Sequence, residues 1–179
     1  MHAIEVLRED HARIEKLLNE LAAAGGATRR ELAEHLERDL IVHLAAEDNV
    51  FLPQVREAVE DSKRTAGEFF EVDPDVLTEA SGLVAQSYEN NAWVRDLLQR
   101  LEPVPGQQEI EDLRNAVKLH VELQEGLLQK ARGVLEGEDF ERIGDLIEHC
   151  KWQVRGLAQA RLASSSSFKP PLVAVKSPE

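Results

Sequence analysis

The sequence predicts an all-α fold, an antiparallel four-helix bundle with an additional helix at its C-terminal end. Apolar residues recur at spacings of three and four along five long segments, which is the period of an α-helix. Aromatic residues make up only 4% of the 179 residues, so Leu, Val, Ile and Ala must build the interior. That composition favours helices over a sheet sandwich.

The first two helical segments are separated by a pair of glycines. The first segment runs from about residue 3 to 24 and stops at Gly25 and Gly26. The second runs from about residue 28 to 59. We expect a kink at Pro53, because proline inside a helix removes a backbone hydrogen bond and crowds the preceding turn.

Prolines also mark the bounds of the third segment. It begins at Asp73-Pro74, since proline suits the first turn of a helix, and stops before Pro103. The fourth and fifth segments cover about residues 109–135 and 139–162. Short connections between long helices are typical of an antiparallel bundle.

These segments predict one domain followed by a tail. The domain spans residues 1–162, with a four-helix core over about residues 3–135 and the shorter fifth helix packed outside it. Residues 163–179 are rich in Ser and Pro and are predicted to be disordered.

Charge and cysteine content restrict the function classes. The net charge of −13 argues against nucleic acid, whose binding depends on Lys and Arg at phosphates, and against anionic membrane surfaces. No apolar run approaches the roughly 20 residues that span a bilayer, and the N-terminal residues lack the pattern of a secretion signal. A single cysteine permits no intrachain disulfide, so we expect a cytoplasmic protein.

Polar residues interrupt the apolar stripe of each of the first four helices, at positions that should face the core. They fall near the middle of each helix, where an apolar side chain is the rule. The interrupting residues are His11 in the first helix, His43 and Glu47 in the second, Tyr88 and Asn91 in the third, and His120 and Gln124 in the fourth.

This pattern predicts a metal site formed by His11, His43, Glu47 and His120. Residues four apart on a helix point within roughly 40° of each other, so His43 and Glu47 can bind one ion from a single face. A buried carboxylate needs a cation or strong donors beside it. Imidazole nitrogen with carboxylate oxygen is a ligand set that suits iron, manganese or zinc.

A different interpretation applies to each histidine taken singly. A lone histidine on an apolar face is more often a hydrogen-bonded core residue than a ligand. Three histidines and a glutamate from separate helices are difficult to explain by packing alone. The alternative remains a metal-free bundle whose polar core residues bond one another and whose fifth helix or tail meets a protein partner.

At these positions the sequence resembles the hemerythrin-like, HHE cation-binding family. The likeness covers about residues 3–135 and is most specific in the second helix. The matching pieces are Asp10-His11, His43-Leu-Ala-Ala-Glu47 followed by Val50-Phe51-Leu52-Pro53, and, in part, His120. The resemblance implies a four-helix bundle that holds a non-haem di-iron centre, bridged by carboxylates and able to meet oxygen or related small species.

Two departures from the family pattern affect the second metal position. Asn91 stands where the family has a third-helix histidine, and Gln124 replaces the carboxylate of a fourth-helix His-x-x-x-Glu motif. Two ferric ions would bring six positive charges against the one fixed negative charge of Glu47. We therefore expect one metal ion or none, unless Tyr88, whose phenolate is a competent ferric ligand, rescues the second position.

The expected function is binding rather than turnover. By the resemblance, one non-haem iron ion, with zinc or manganese as alternatives, would serve to sense, store or handle the metal, oxygen, nitric oxide or peroxide. An enzymatic variant such as peroxide disproportionation would use the same residues. A homodimer or a protein partner could form through the fifth helix.

Overall fold

The computed structural model describes residues 2–65 and 73–166, and in these ranges every regular element is helical. Helix α2, the π-helical turn and helix α3 follow one another without a break, so the described residues form five rods. The predicted all-α fold is confirmed. The elements are α1 (Ala3–Ala23), α2 (Gly26–Ala46), the π-helical turn (Glu47–Phe51), α3 (Leu52–Thr65), α4 (Pro74–Arg100), α5 (Gln107–Ala131) and α6 (Gly137–Ser166).

Neighbouring rods of the bundle run antiparallel, which the contacts between them show. Asp10 and Arg13 on α1 meet His43 and Asp39 on α2 in reversed sequence order. The same reversal holds between α1 and α5 and between α4 and α5. This arrangement places the middle of each helix at one level of the bundle.

Two apolar cores fill the interior on either side of that level. One core surrounds Leu7, Phe51 and Leu127, and the other surrounds Ile14 and Leu40. All five of these side chains are at most 1% exposed. The polar residues of the four helices lie between the two cores, at the depth at which water is excluded.

Helix boundaries agree with the prediction at α4 and differ at α2. The Asp73 side chain accepts a hydrogen bond from the Asp75 backbone N–H at 2.9 Å, and Pro74 occupies the first turn, as expected. Helix α2 begins at Gly26 rather than near residue 28. The φ of +56° at Gly26 lies in the left-handed region that glycine adopts without strain.

A π-helical turn, which was not predicted, immediately precedes the position at which a kink is expected, Pro53. The Leu52 N–H donates to the carbonyl of Glu47, five residues earlier, instead of to the fourth. Because Pro53 has no N–H to donate, a widened turn just before it disturbs fewer hydrogen bonds than it would elsewhere. Glu47 and Phe51 bound this turn, and both are buried.

The fifth rod, α6, packs outside the four, against α1, α2 and the π-helical turn. Its buried face carries Phe140, Ile143 and Ile147. It continues to Ser166, so the first four residues of the predicted tail are helical. Residues 66–72, between the second and third predicted segments, and residues 167–179 lie outside the described residues. Among the described helices, none combines the length and apolar character that a bilayer crossing requires.

Candidate metal centre

Four side chains from three rods converge between the two apolar cores. They are His11 on α1, His43 on α2, Glu47 at the start of the π-helical turn and His120 on α5, each at most 4% exposed. The distances from Glu47 Oε1 to the Nε2 atoms of His43, His120 and His11 are 3.1, 3.4 and 3.9 Å. The structure thus brings all four predicted ligands together.

These distances suit one ion. Two atoms bound to the same metal at about 2.1 Å lie at most about 4.2 Å apart. One ligand atom from each of the four residues can be chosen so that all lie within 4.8 Å of one another. Small side-chain movements therefore suffice to close the group around a single ion.

The hydrogen bonds of Asn91 determine which nitrogen of His120 faces the group. The Asn91 amide nitrogen donates to Glu47 Oε2 at 3.1 Å and to Asp48 Oδ1 at 2.9 Å. Its carbonyl oxygen is left to accept from His120 Nδ1, 3.0 Å away. The proton of neutral His120 is therefore on Nδ1, and the Nε2 lone pair points at the other ligands.

Asp10 does the same for His43. Its Oδ2 accepts from His43 Nδ1 at 3.3 Å, which leaves the Nε2 lone pair of a neutral His43 facing inward. The Nε2 atoms of His43 and His120 are only 3.1 Å apart. Two lone pairs and a carboxylate at this separation repel one another unless a cation, either a proton or a metal ion, lies between them.

The protonation equilibria agree with this requirement. Burial disfavours the charged form of His43, but the carboxylates of Glu47 and Asp10 outweigh it and raise the pKa of His43 to about 9. Burial acts against the Glu47 anion, yet the neighbouring imidazoles hold its pKa well below the ordinary value. Without a metal, a proton on His43 supplies the missing positive charge.

Among the residues of the site, His11 and Gln124 have buried polar atoms that lack a partner. Neither ring nitrogen of His11 has a hydrogen bond, and burial lowers its pKa further than the Glu47 carboxylate restores it. The Oε1 of Gln124 is likewise buried without a partner. Since such groups are costly to leave unpaired, an ion in the converging group that accepts the lone pair of His11 Nε2, 3.9 Å from Glu47 Oε1, would partly satisfy the site.

The residues predicted for a second metal position have other roles in the described structure. Asn91 turns its amide nitrogen, not its oxygen, to Glu47, and Gln124 also donates to Glu47 through its amide nitrogen. Tyr88 is half-buried in a groove between α3 and α4, beside Arg56 and Val59. Asn91 and Gln124 thus act as donors to the carboxylate, and Tyr88 lies on the groove side of α4.

The roles of several residues around the group were missing from the sequence interpretation. Asp10 was quoted there only as part of the Asp10-His11 match, without the role that it has here in orienting His43. Lys151 of α6, which was not identified, reaches Asp10. Asp48 binds both Asn91 and Arg95. One sequence signal was available, since Lys151 follows Ile143 and Ile147 at spacings of four on the apolar face of its helix.

Comparison with known proteins gives one match. A sequence model of the family described as "Hemerythrin HHE cation binding domain" matches residues 2–131, which include all four converging side chains. No curated protein and no solved structure matches the chain. The matched region covers well over half of the 179 residues and contains the four rods of the bundle. The chain therefore belongs to the hemerythrin family.

Proposed function

We propose that this protein binds a single non-haem iron ion through His11, His43, Glu47 and His120, and that it uses the ion to handle or sense oxygen, nitric oxide or peroxide. The observation that carries the proposal is the arrangement of the Nε2 lone pairs. His43 and His120 are each held by an outer partner so that their lone pairs meet at 3.1 Å beside a carboxylate.

Charge supports one ion rather than two. Glu47 is the only carboxylate in the converging group, and both of its oxygens already accept hydrogen bonds from the amides of Gln124 and Asn91. With neutral imidazoles, a divalent ion leaves the group with a net charge of +1, whereas two divalent ions would leave +3. In a buried site each uncompensated charge is costly.

Ferrous iron fits this ligand set, and zinc and manganese are alternatives with the same donors. Bound iron would supply an open coordination position for a small ligand. The chain's own contribution is to orient His43 and His120 through their Nδ1 atoms, so that Nε2 faces the ion, and to exclude water from it. Because the four side chains are at most 4% exposed, the centre suits a ligand of two or three atoms.

Metal analysis of the purified chain tests the proposal. After anaerobic titration with Fe²⁺ we expect one iron per chain, and a chelator should lower the melting temperature of the loaded protein. Two irons per chain would overturn the single-ion proposal. A protein that takes up none of the three metals, and whose melting ignores the chelator, would overturn the proposed function.

A metal-free bundle that acts as an interaction module is the second candidate. The observation in its favour is that the Glu47 carboxylate already has two amide donors and that a proton on His43 can stand in for the ion. The two orphaned nitrogens of His11 favour the metal-binding proposal, since a purely structural network leaves them unsatisfied. Visible absorption of iron-loaded protein separates the two candidates.

We place any protein partner, or a second copy of the chain, on the outward face of α6. Trp152 and Leu157 there are 71% and 67% exposed, and Leu146 is 42% exposed. The proposed compartment is the cytoplasm, in keeping with a single cysteine, which permits no intrachain disulfide. Size-exclusion chromatography with light scattering would show whether α6 joins two copies.

A further inference from the structure

The additional helix α6 extends one buried charge into the interior of the bundle. Lys151 is 4% exposed, and its ammonium lies 3.1 and 3.0 Å from the two carboxylate oxygens of Asp10. It also binds Glu148 on its own helix, at 2.6 Å. A buried ammonium is rare unless it is paired, so this contact requires an explanation.

Asp10 connects this charge to the candidate metal centre. The same carboxylate accepts from His43 Nδ1 at 3.3 Å and from Arg13 at 2.6 Å. Lys151, Asp10 and His43 therefore form a line that begins on α6, crosses α1 and ends at an inward-facing imidazole on α2. The family match ends at residue 131, so the first member of the line lies outside the matched domain.

We infer that Lys151 and Asp10 are positioning residues of the metal centre, and that α6 is a working part of the site. The inference rests on the proposed function, since it concerns the affinity of the same ion. Asp10 positions His43, and Lys151 acts only through Asp10.

The physical reason lies in the freedom of a carboxylate. Asp10 could turn so that both of its oxygens face Arg13, whose side chain is 41% exposed, and would then leave His43 Nδ1 without an acceptor. Lys151 contacts both oxygens at nearly equal distances and so fixes the carboxylate plane. Partners of a ligating imidazole typically change metal affinity by about 10–100-fold when they are removed.

A double-mutant cycle on Co²⁺ affinity tests the inference. The four proteins are the full-length wild type, Lys151→Met, Asp10→Asn and the double variant. Each is titrated with Co²⁺ alone against a competing chelator, while the visible d–d absorption of the bound ion is recorded. Lys130→Met, which removes an ammonium paired with Glu79 at the surface, is the matched control.

We expect Asp10→Asn and Lys151→Met each to weaken Co²⁺ binding by about tenfold or more and to alter the d–d spectrum. The double variant should bind no more weakly than Asp10→Asn, and Lys130→Met should resemble the wild type. If Lys151→Met does not fold, Lys151→Gln, which keeps a donor without the charge, is used in the same cycle.

Three results would overturn the inference. Unchanged or tighter binding by the Lys151 variant would mean that Lys151 acts only as a distant positive charge or not at all. If Lys151→Met lowers the Co²⁺ affinity equally in the wild type and in Asp10→Asn, α6 would act through general stability and not through Asp10. Wild-type protein that binds no Co²⁺ would instead refute the proposed function, and this inference with it.

Discussion

The two sides of the polar layer differ in chemistry although they lie at the same depth. On one side, α1, α2 and α5 contribute three imidazoles and a carboxylate that face one another. On the other side, α4 contributes Asn91, and the next turn of α5 contributes Gln124. Both amides are buried, and both direct their N–H groups at the carboxylate of Glu47.

Under the proposal of a single ion, the difference teaches how a site for two ions could become a site for one. An amide in place of a ligand does not leave a hole, because it donates a hydrogen bond to the remaining anion. Asn91 additionally accepts from His120 Nδ1, so the residue in the place of the family's histidine also orients a proposed ligand. The amide side stabilises the arrangement of the imidazole side.

Removal of the single anion should have the largest effect. We expect Glu47→Gln to weaken Fe²⁺ or Zn²⁺ binding by at least about 100-fold, more than the loss of a supporting partner would. Isothermal titration measures the change, and Glu57→Gln, at an exposed position of α3, is the control for the lost charge. Binding within tenfold of the wild type would contradict the role of Glu47.

Conversion of the amide side should add a second ion. The double variant Asn91→His with Gln124→Glu supplies an imidazole and a second carboxylate, so its uptake should rise from about one to about two metal ions per chain. Elemental analysis after anaerobic loading gives the ratio, with Asn91→Ala as the variant that loses the amide without gaining a ligand. A folded double variant that still binds one ion would refute the idea that Asn91 and Gln124 limit the site to one ion.

Acidity should change the affinity by about tenfold per pH unit. The pKa of His43, raised to about 9, means that binding at lower pH must displace one proton. Apparent affinity should therefore rise from about pH 6 to about pH 9 and then level off, as competition titrations would show. An affinity that is flat over this range would contradict a proton bound in place of the ion.

The same titration affects the stability of the metal-free protein. A raised histidine pKa stabilises the fold fully below the ordinary value of 6.5, and the contribution is lost as pH rises through about 9. Glu47, whose pKa is lowered, stabilises the fold at pH values above its ordinary pKa. This contribution is lost in acid, as the carboxylate becomes protonated. The melting temperature of the metal-free protein should therefore decrease in acid and in alkali. Bound metal should remove the decrease at alkaline pH.

The smallest effect is expected at Tyr88. Because its side chain lines the groove between α3 and α4, Tyr88→Phe should leave metal content, affinity and the visible spectrum of iron-loaded protein unchanged. Stability should change by less than about 0.5 kcal/mol, as for most surface substitutions. Loss of an absorption band in this variant would show that the phenolate binds the ion.

Most of the fold was predictable because helical periodicity is a local signal. The apolar spacing located all five rods, and the proline at position 74 located the start of α4 within one residue. The π-helical turn was not predicted, since Pro53 announces a disturbance but not its form. The length of α6 was underestimated because Ser164 and its neighbours are poor indicators of a helix end.

The site was predictable only as far as residue type and helix face determine it. The spacing of His43 and Glu47 and the interrupted stripes found the four converging side chains. Hydrogen-bond direction is not encoded in spacing, so Asn91 was interpreted only as the loss of a histidine and not as a donor to Glu47. Asp10 and Lys151 meet across helices 141 positions apart, which no local pattern reports.

The π-helical turn has a consequence for how this chain tolerates insertions and deletions. A turn that is wider by one residue offsets everything after it by about 100° relative to a regular α-helix. Deletion of one residue between Glu47 and Phe51 would restore regular geometry, yet it would rotate the buried face of α3, with Val55 and Val59, away from the core. The number of residues between Glu47 and the apolar face of α3 is therefore fixed. An insertion or deletion between them would misplace either the carboxylate or the buried valines.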